Sequence, residues 1–227
     1  MTARTPHEVR WLAIVEQLRD SPGITVSRDI TADIDMTAGD VPEAFAELAE
    51  WEGIRLSSSL QENYLRFHEL GSQWQTTEPY PFVAGEFLLR PIAHVIHEQP
   101  PDCASSLYTA EEREIVSELR IIDEAPFTGA GTFSALRLQS DVEDPEIWYT
   151  DHRQGLWKMD LGYHQYFETL RLTRGAYDWQ HLFTEAPLSS DGYDITVDRL
   201  TNMLDSLPRI FTEDDYGDLR DRWEARR

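Results

Sequence analysis

Residues 146–172 read EIWYTDHRQGLWKMDLGYHQYFETLRL, and the reading of this stretch decides the fold. Glu146-Ile147-Trp148-Tyr149 and Gly155-Leu156-Trp157-Lys158-Met159 are short runs rich in aromatic and branched residues. The polar Asp151-His152-Arg153-Gln154 between them completes the pattern of two antiparallel strands around a turn. Beyond Asp160, a residue suited to cap a helix, the period lengthens: Tyr163, Tyr166, Phe167 and Leu170 fall at i, i+3, i+4 and i+7 ahead of Gly175. A hairpin followed at once by an amphipathic helix predicts an α+β fold, an antiparallel sheet flanked by helices.

Working outward toward the C-terminus, Val197, Leu200, Leu204 and Leu207 ahead of Pro208, then Tyr216, Leu219 and Trp223, predict two more helices. Upstream, Ala135–Gln139 reads as a strand, Asp141–Pro145 as an acidic connection and Phe127–Thr132 as a turn. Thr109 with Glu112 forms a capping signal for a short helix through Ile115 and Leu119, although Leu119–Ile122 reads equally as a strand. Phe82–Ile96, rich in Val, Phe, Leu and Ile, predicts one or two strands broken near Pro91, and the sheet is expected to begin there. Three helices are expected before it. Thr5, Pro6 and Glu8 open the first, with Trp11, Ile14, Val15 and Leu18 inward. Asp40 and Glu43 open the second, with Phe45, Leu48 and Ala49 on one face and Gly53 as its stop. Ser59 and Glu62 open the third, with Tyr64, Phe67 and Leu70 inward and Gly71 closing it. With no internal repeat and no long linker, residues 1–227 are expected to form a single domain.

The chain carries 20 Lys+Arg against 42 Asp+Glu, a formal net charge of −22 over 227 residues. Hydrophobic residues at 41% and aromatics at 11% supply enough apolar surface for one large core, which argues against wholesale disorder. The longest apolar stretch, Phe82–Leu89, is interrupted by Glu86 and falls far short of the roughly 18 residues a membrane span requires. The first residues turn polar and acidic without an apolar segment behind Arg4, so a cytoplasmic location is expected. So acidic a chain repels nucleic-acid phosphates and anionic lipid and attracts basic proteins or cations. The same composition, with Lys158 the one lysine, is also what a GC-rich genome or a salt-adapted cytoplasm produces.

Motifs for chemistry are sparse. His94 and His97 stand three apart, not four apart with a Glu between as a zinc-protease helix requires. Read as part of a strand, they would also face opposite sides. There is no nucleophile elbow, no P-loop and no third glycine after Gly129 and Gly131 to make a dinucleotide fingerprint. Cys103 is the one cysteine, and among 42 acidic residues neighbouring carboxylates arise by chance, so no pair stands out as an acid/base couple. Trp179–Phe183, including His181, reads as core packing rather than a ligand box. No catalytic residue, metal site or cofactor is assigned.

Two acidic clusters are placed suggestively. Asp141, Glu143, Asp144, Glu146 and Asp151 flank Trp148 and Tyr149 on the connection and hairpin. There, aromatic anchors would supply contact area and carboxylates would steer a basic partner. These seven residues are the candidate partner-binding site, against the plainer reading of a solvated loop. Glu213, Asp214, Asp215, Asp218 and Asp221 form the second cluster, but Arg220, Arg222, Arg226 and Arg227 partly neutralise it, as on an ordinary exposed helix.

Three stretches together resemble the SUKH superfamily, whose bacterial members are mostly immunity proteins against polymorphic toxins. Ile54-Arg55-Leu56 with Leu60–Gly71 is similar to that family's helix ending in Tyr, Phe and Gly; Glu146–Tyr149 with Gly155–Trp157 resembles its late strands, and Asp160–Leu172 its closing helix. The resemblance covers residues 40–185 and leaves 1–39 and 186–227 as helical extensions. It implies an α+β fold and an activity of binding rather than catalysis: neutralisation of a basic toxin, such as a nuclease, by direct contact. The rival readings are an enzyme using a pocket carboxylate or His181, and a cytoplasmic scaffold or regulator using the aromatic surface. Oligomeric state is not legible.

Overall fold

The computed structural model describes residues 4–31, 41–51, 53–58, 60, 65–102, 108–129, 131–151 and 155–227. The elements run α1 (Pro6–Asp20), β1 (Ile24–Thr31), α2 (Val41–Trp51), β2 (Leu70–Thr76), β3 (Ala84–Leu89), α3 (Ile92–Val95), α4 (Ala110–Ser117), β4 (Leu119–Glu124), β5 (Phe133–Arg137), β6 (Glu146–Asp151), β7 (Gly155–Lys158), α5 (Tyr163–Thr173), a 3₁₀ turn (Trp179–Phe183), α6 (Asp194–Ile210) and α7 (Gly217–Ala225). The strands form a seven-stranded antiparallel sheet in the order of the chain, β1 to β7, with flanking helices: the expected α+β architecture.

Local signals explain the elements that were foreseen. The Thr5 hydroxyl accepts from the Glu8 N–H at 3.1 Å while the Glu8 carboxylate accepts from the Thr5 N–H at 2.8 Å, the reciprocal capping box that opens α1. Thr109 and Glu112 repeat it at α4, which stops at Ser117, short of the expected Leu119; Leu119 instead opens β4, as the strand reading of Leu119–Ile122 has it. Asp40, Ser59, Gln61, Glu62, Tyr64 and Cys103 lie outside the described residues.

Five expectations need correction. The sheet begins at β1, not near Phe82; Ile24, Val26 and Ile30 alternate there with polar residues, but Arg28 breaks the run and only Ile24 is buried, so the pattern is short and weak. Leu70 starts β2 instead of ending a helix, because Leu70, Ser72, Trp74 and Thr76 are all buried at period two, and the spacing of Phe67 and Leu70 mimics a helical one. After Pro91 the chain forms α3, not a strand; Ile92, Ala93, Val95 and Ile96 are all buried around the half-buried His94, and so short an apolar run does not distinguish a helical turn from a strand. Helix α5 starts at Tyr163 rather than after Asp160, with the Gly162 N–H donating to Gln165 Oε1 at 3.2 Å. Helix α6 also passes through Pro208. The proline removes the donor for the Leu204 carbonyl, and Arg220 Nη2 fills the vacancy at 3.0 Å.

The chain folds as two compact units. The first comprises residues 1–30, 71–87 and 168–227, so both chain ends build it. Its core holds Trp11, Leu18, Trp74, Phe87, Leu170, Trp179, Leu200 and Leu207. At its centre lies Arg174, with a side chain 1% exposed. One Nη donates to Asp214 Oδ2 at 2.6 Å and Gln17 Oε1 at 2.9 Å, the other to the Leu172 carbonyl at 2.8 Å and the Arg171 carbonyl at 3.2 Å. The guanidinium also stacks 3.9 Å from the Phe211 ring centroid. Trp74 Nε1 donates to the Arg174 carbonyl at 2.7 Å. Next to it Gly175, at φ +68°, brings its backbone so close to β3 that an added Cβ would meet the Glu86 carbonyl oxygen at 2.7 Å.

The second unit comprises residues 31–70 and 88–167. In β4–β7, Ile121 pairs Ala135 and Asp123 pairs Ser134, so Ile122 is an extra residue that bulges β4. One sheet face carries Leu119, Ile121, Phe133, Ala135, Trp148 and Leu156, packed with Ile115 and Val116 of α4. The buried Asp123 carboxylate accepts from the Leu88 N–H at 3.2 Å and the Tyr166 hydroxyl at 2.7 Å.

Removing the carboxylate beside Arg174 leaves a buried cation without its counter-charge, a change that costs on the order of 3 kcal/mol. Asp214→Ala is therefore expected to lower the urea midpoint strongly, while Glu213→Ala, an exposed neighbour, leaves it within experimental scatter.

Candidate partner-binding surface

The hairpin does not present its aromatic and acidic residues together. Along β6 successive side chains alternate faces, so Ile147, Tyr149 and Asp151 share one and Glu146, Trp148 and Thr150 the other. Tyr149 is 2% exposed and Asp151 7%, so neither can serve as an anchor for a partner in this structure. Trp148 is half-buried in the apolar face packed with α4, and its Nε1 donates to Glu146 Oε2 at 2.9 Å.

Glu146 is held internally as well. Register sets Arg137 directly opposite it and Lys158 opposite Trp148, one diagonal away. Lys158 Nζ lies 2.5 Å and Arg137 Nη1 3.4 Å from its oxygens. Burial pushes its acidity toward a higher pKa, but the hydrogen bonds from Lys158 and Trp148 and the nearby cations outweigh that, and the net pKa is lowered. Burial works to lower Arg137, and Glu118 at 2.6 Å together with Glu146 reverses it to a net rise.

What remains outward is the turn before β6. Asp141, at φ +65°, Glu143 and Asp144 are all exposed. The turn is pinned from the segment that follows α2: the Ser57 N–H donates to the Glu143 carbonyl at 2.8 Å, and the Ser57 hydroxyl donates to Asp144 Oδ1. Of the seven predicted residues, the structure thus gathers three acids on one turn, locks Glu146 and Trp148 into a charge cluster and buries Tyr149 and Asp151.

The histidines fall in different settings. His94 sits in α3 with its ring 6.0 Å from that of His68, and His97 is exposed just beyond the helix. His181 is fully buried in the 3₁₀ turn, with Nδ1 3.2 Å from Thr184 Oγ1 and its ring edge-on to Tyr193 at 5.8 Å. Among the described residues no group of three or more His, Cys, Asp or Glu is arranged to hold a metal ion. Nor is any helix among them long and apolar enough to cross a membrane. The second acidic cluster is split too: Asp214 is committed to Arg174, and Asp215 Oδ1 accepts from the Gly217 N–H at 2.9 Å.

The sequence pattern takes Glu43 as a capping residue and picks out the inward face of α2. Its outward face carries Glu43, Glu47 and Glu50, all exposed, and Trp51, which is 78% exposed. The i, i+4, i+7 spacing was the available signal. Comparison with protein-family models, curated proteins and solved structures returned no match for this chain.

Because Glu146 is acidified by its partners, its stabilising contribution is complete above the ordinary glutamate pKa of about 4.3 and fades as pH falls through the lower native value. Glu146→Gln is accordingly expected to cost about 1 kcal/mol at pH 7, with the two unfolding curves converging below pH ~4. Denaturant melts at pH 7 and pH 3 check this.

Proposed function

We propose that this chain is a non-enzymatic acidic binding protein that neutralises a basic protein, a toxin nuclease in the manner of the SUKH-type immunity proteins it resembles, by covering the partner's cationic surface. The observation that carries the reading is where the charges sit. With 42 acids and 20 bases, at least 22 carboxylates lack a basic residue of this chain even if every base takes one. Some of the bases are spent internally: Arg174, Arg137, Arg90 and Arg171 pair with carboxylates while less than a third exposed, and Arg10, Arg19, Lys158 and Arg199 pair at more exposed positions. The excess is therefore displayed, and on the 141–144 turn three acids stand together on a segment held in place by Ser57. Such a surface accelerates encounter with a basic protein, discriminates against acidic ones and weakens as salt screens it. A nuclease active site, itself built to hold phosphates, offers the complementary field.

The test uses the tagged full chain to capture proteins from its own source at low salt, followed by affinity measurement with the purified partner. A single basic protein is expected, with affinity falling steeply between 50 and 500 mM salt. Asp141→Lys/Glu143→Lys/Asp144→Lys is expected to weaken binding by about tenfold or more. Retention of a small molecule instead of a protein, or unchanged affinity in the triple variant, would contradict the assignment.

A further inference from the structure

Helix α2 offers a second and sharper docking element, and the inference about it rests on the binding reading above. Its orientation is fixed by its own burial: Phe45 is 6% and Leu48 0% exposed, so that side faces the core of the second unit. The helical repeat then places Glu43, Glu47 and Glu50 on the opposite side, where all three are exposed. Trp51, one residue on, is 78% exposed and is the most exposed large hydrophobic side chain among the described residues.

Each part of this arrangement has a cost in the isolated protein. Three glutamates at i, i+4 and i+7 repel one another along a helix, and where such a stripe is stabilised within one chain, lysine or arginine alternates with the acids. Here α2 contains no basic residue, and among the described residues no ion pair reaches Glu43, Glu47 or Glu50. A tryptophan left in water forfeits on the order of 2–3 kcal/mol of burial, and at interfaces tryptophan is the residue that most often carries binding energy. Both costs are relieved by one kind of occupant. A guanidinium-bearing surface places cations against the carboxylates and stacks a planar cation on the indole.

We infer that the outer face of α2, formed by Glu43, Glu47, Glu50 and Trp51, docks an arginine-bearing surface of a protein partner, with Trp51 as its anchor. The acidic turn belongs to the same unit. Trp51 and Ser57 are six residues apart in the chain, so they lie within about 20 Å of each other. Ser57 is bonded directly to the turn. The segment that follows α2 is thereby tied to the acidic turn.

A nona-arginine peptide in low-salt buffer serves as the probe, titrated against the full chain and three variants. Glu43→Lys/Glu47→Lys/Glu50→Lys is compared with Asp198→Lys/Asp205→Lys/Glu213→Lys, which makes the same change in net charge at exposed positions of the first unit. The α2 triple is expected to lose about tenfold more affinity than the control triple, and Trp51→Ala several-fold, with far-UV circular dichroism unchanged. In the wild type, bound peptide is expected to shield Trp51 from acrylamide, read as the quenching difference from Trp51→Phe; this arm stands even if the α2 triple fails to fold. Equal losses in the two triples together with undiminished quenching of Trp51 would overturn the α2 assignment and leave the general reading of a basic partner in place. Absence of binding by the wild type at low salt would overturn both.

Discussion

Twenty basic side chains cannot neutralise forty-two acidic ones, and where the fold places those twenty governs the rest of the molecule. The most consequential is Arg174. Its guanidinium meets Asp214, Gln17, two backbone carbonyls and the face of Phe211, while its own carbonyl receives the Trp74 indole. These partners come from α1, β2, the end of α5 and the segment after α6. One buried cation therefore reaches a partner as many as 157 residues away along the chain. A buried ion pair seldom adds much net stability, but it is unforgiving of misplacement, since every donor left over is a desolvated one. It acts as a specification of the first unit more than as its source of stability, which is the apolar core around it.

In the second unit the same scarcity shapes the surface. Arg137 and Lys158 converge on Glu146, so the centre of the hairpin is electrically settled. Exposed acids stand at its margins: Asp141, Glu143 and Asp144 on the turn before β6, and Glu43, Glu47 and Glu50 on the outer stripe of α2. A surface of this kind binds through long-range field first and contact second. On the binding reading proposed above, the exposed Trp51 would add what carboxylates alone lack, an apolar anchor.

Much of the fold was legible where a segment carries its own instructions. The Thr5/Glu8 and Thr109/Glu112 boxes, the period of Tyr163, Tyr166, Phe167 and Leu170, and the two runs of the hairpin all encode their structure within a few residues. The elements that were missed or misread take their structure from elsewhere. β1 is an edge whose alternation of Ile24, Val26 and Ile30 is broken by Arg28, α3 is a single short turn buried at Ile92, Ala93 and Val95, and α6 runs through Pro208 with Arg220, 16 residues on, satisfying the Leu204 carbonyl. The candidate site was legible in composition but not in arrangement. Alternation along β6 already separates Trp148 from Tyr149, whereas the neutralisation of Glu146 depends on register, which fixes Arg137 and Lys158 beside it.

The central claim is that a basic partner meets the acids of the second unit and not the molecule at large. Backbone and indole chemical shifts of the ¹⁵N-labelled chain, followed on addition of the purified basic partner or an arginine-rich peptide, test it most directly. The account predicts that the largest perturbations fall on residues 43–51, the Trp51 indole N–H and residues 141–144, and that they collapse in 0.5 M salt. Perturbations scattered evenly over the acidic side chains, or concentrated in α6 and α7 of the first unit, would contradict it.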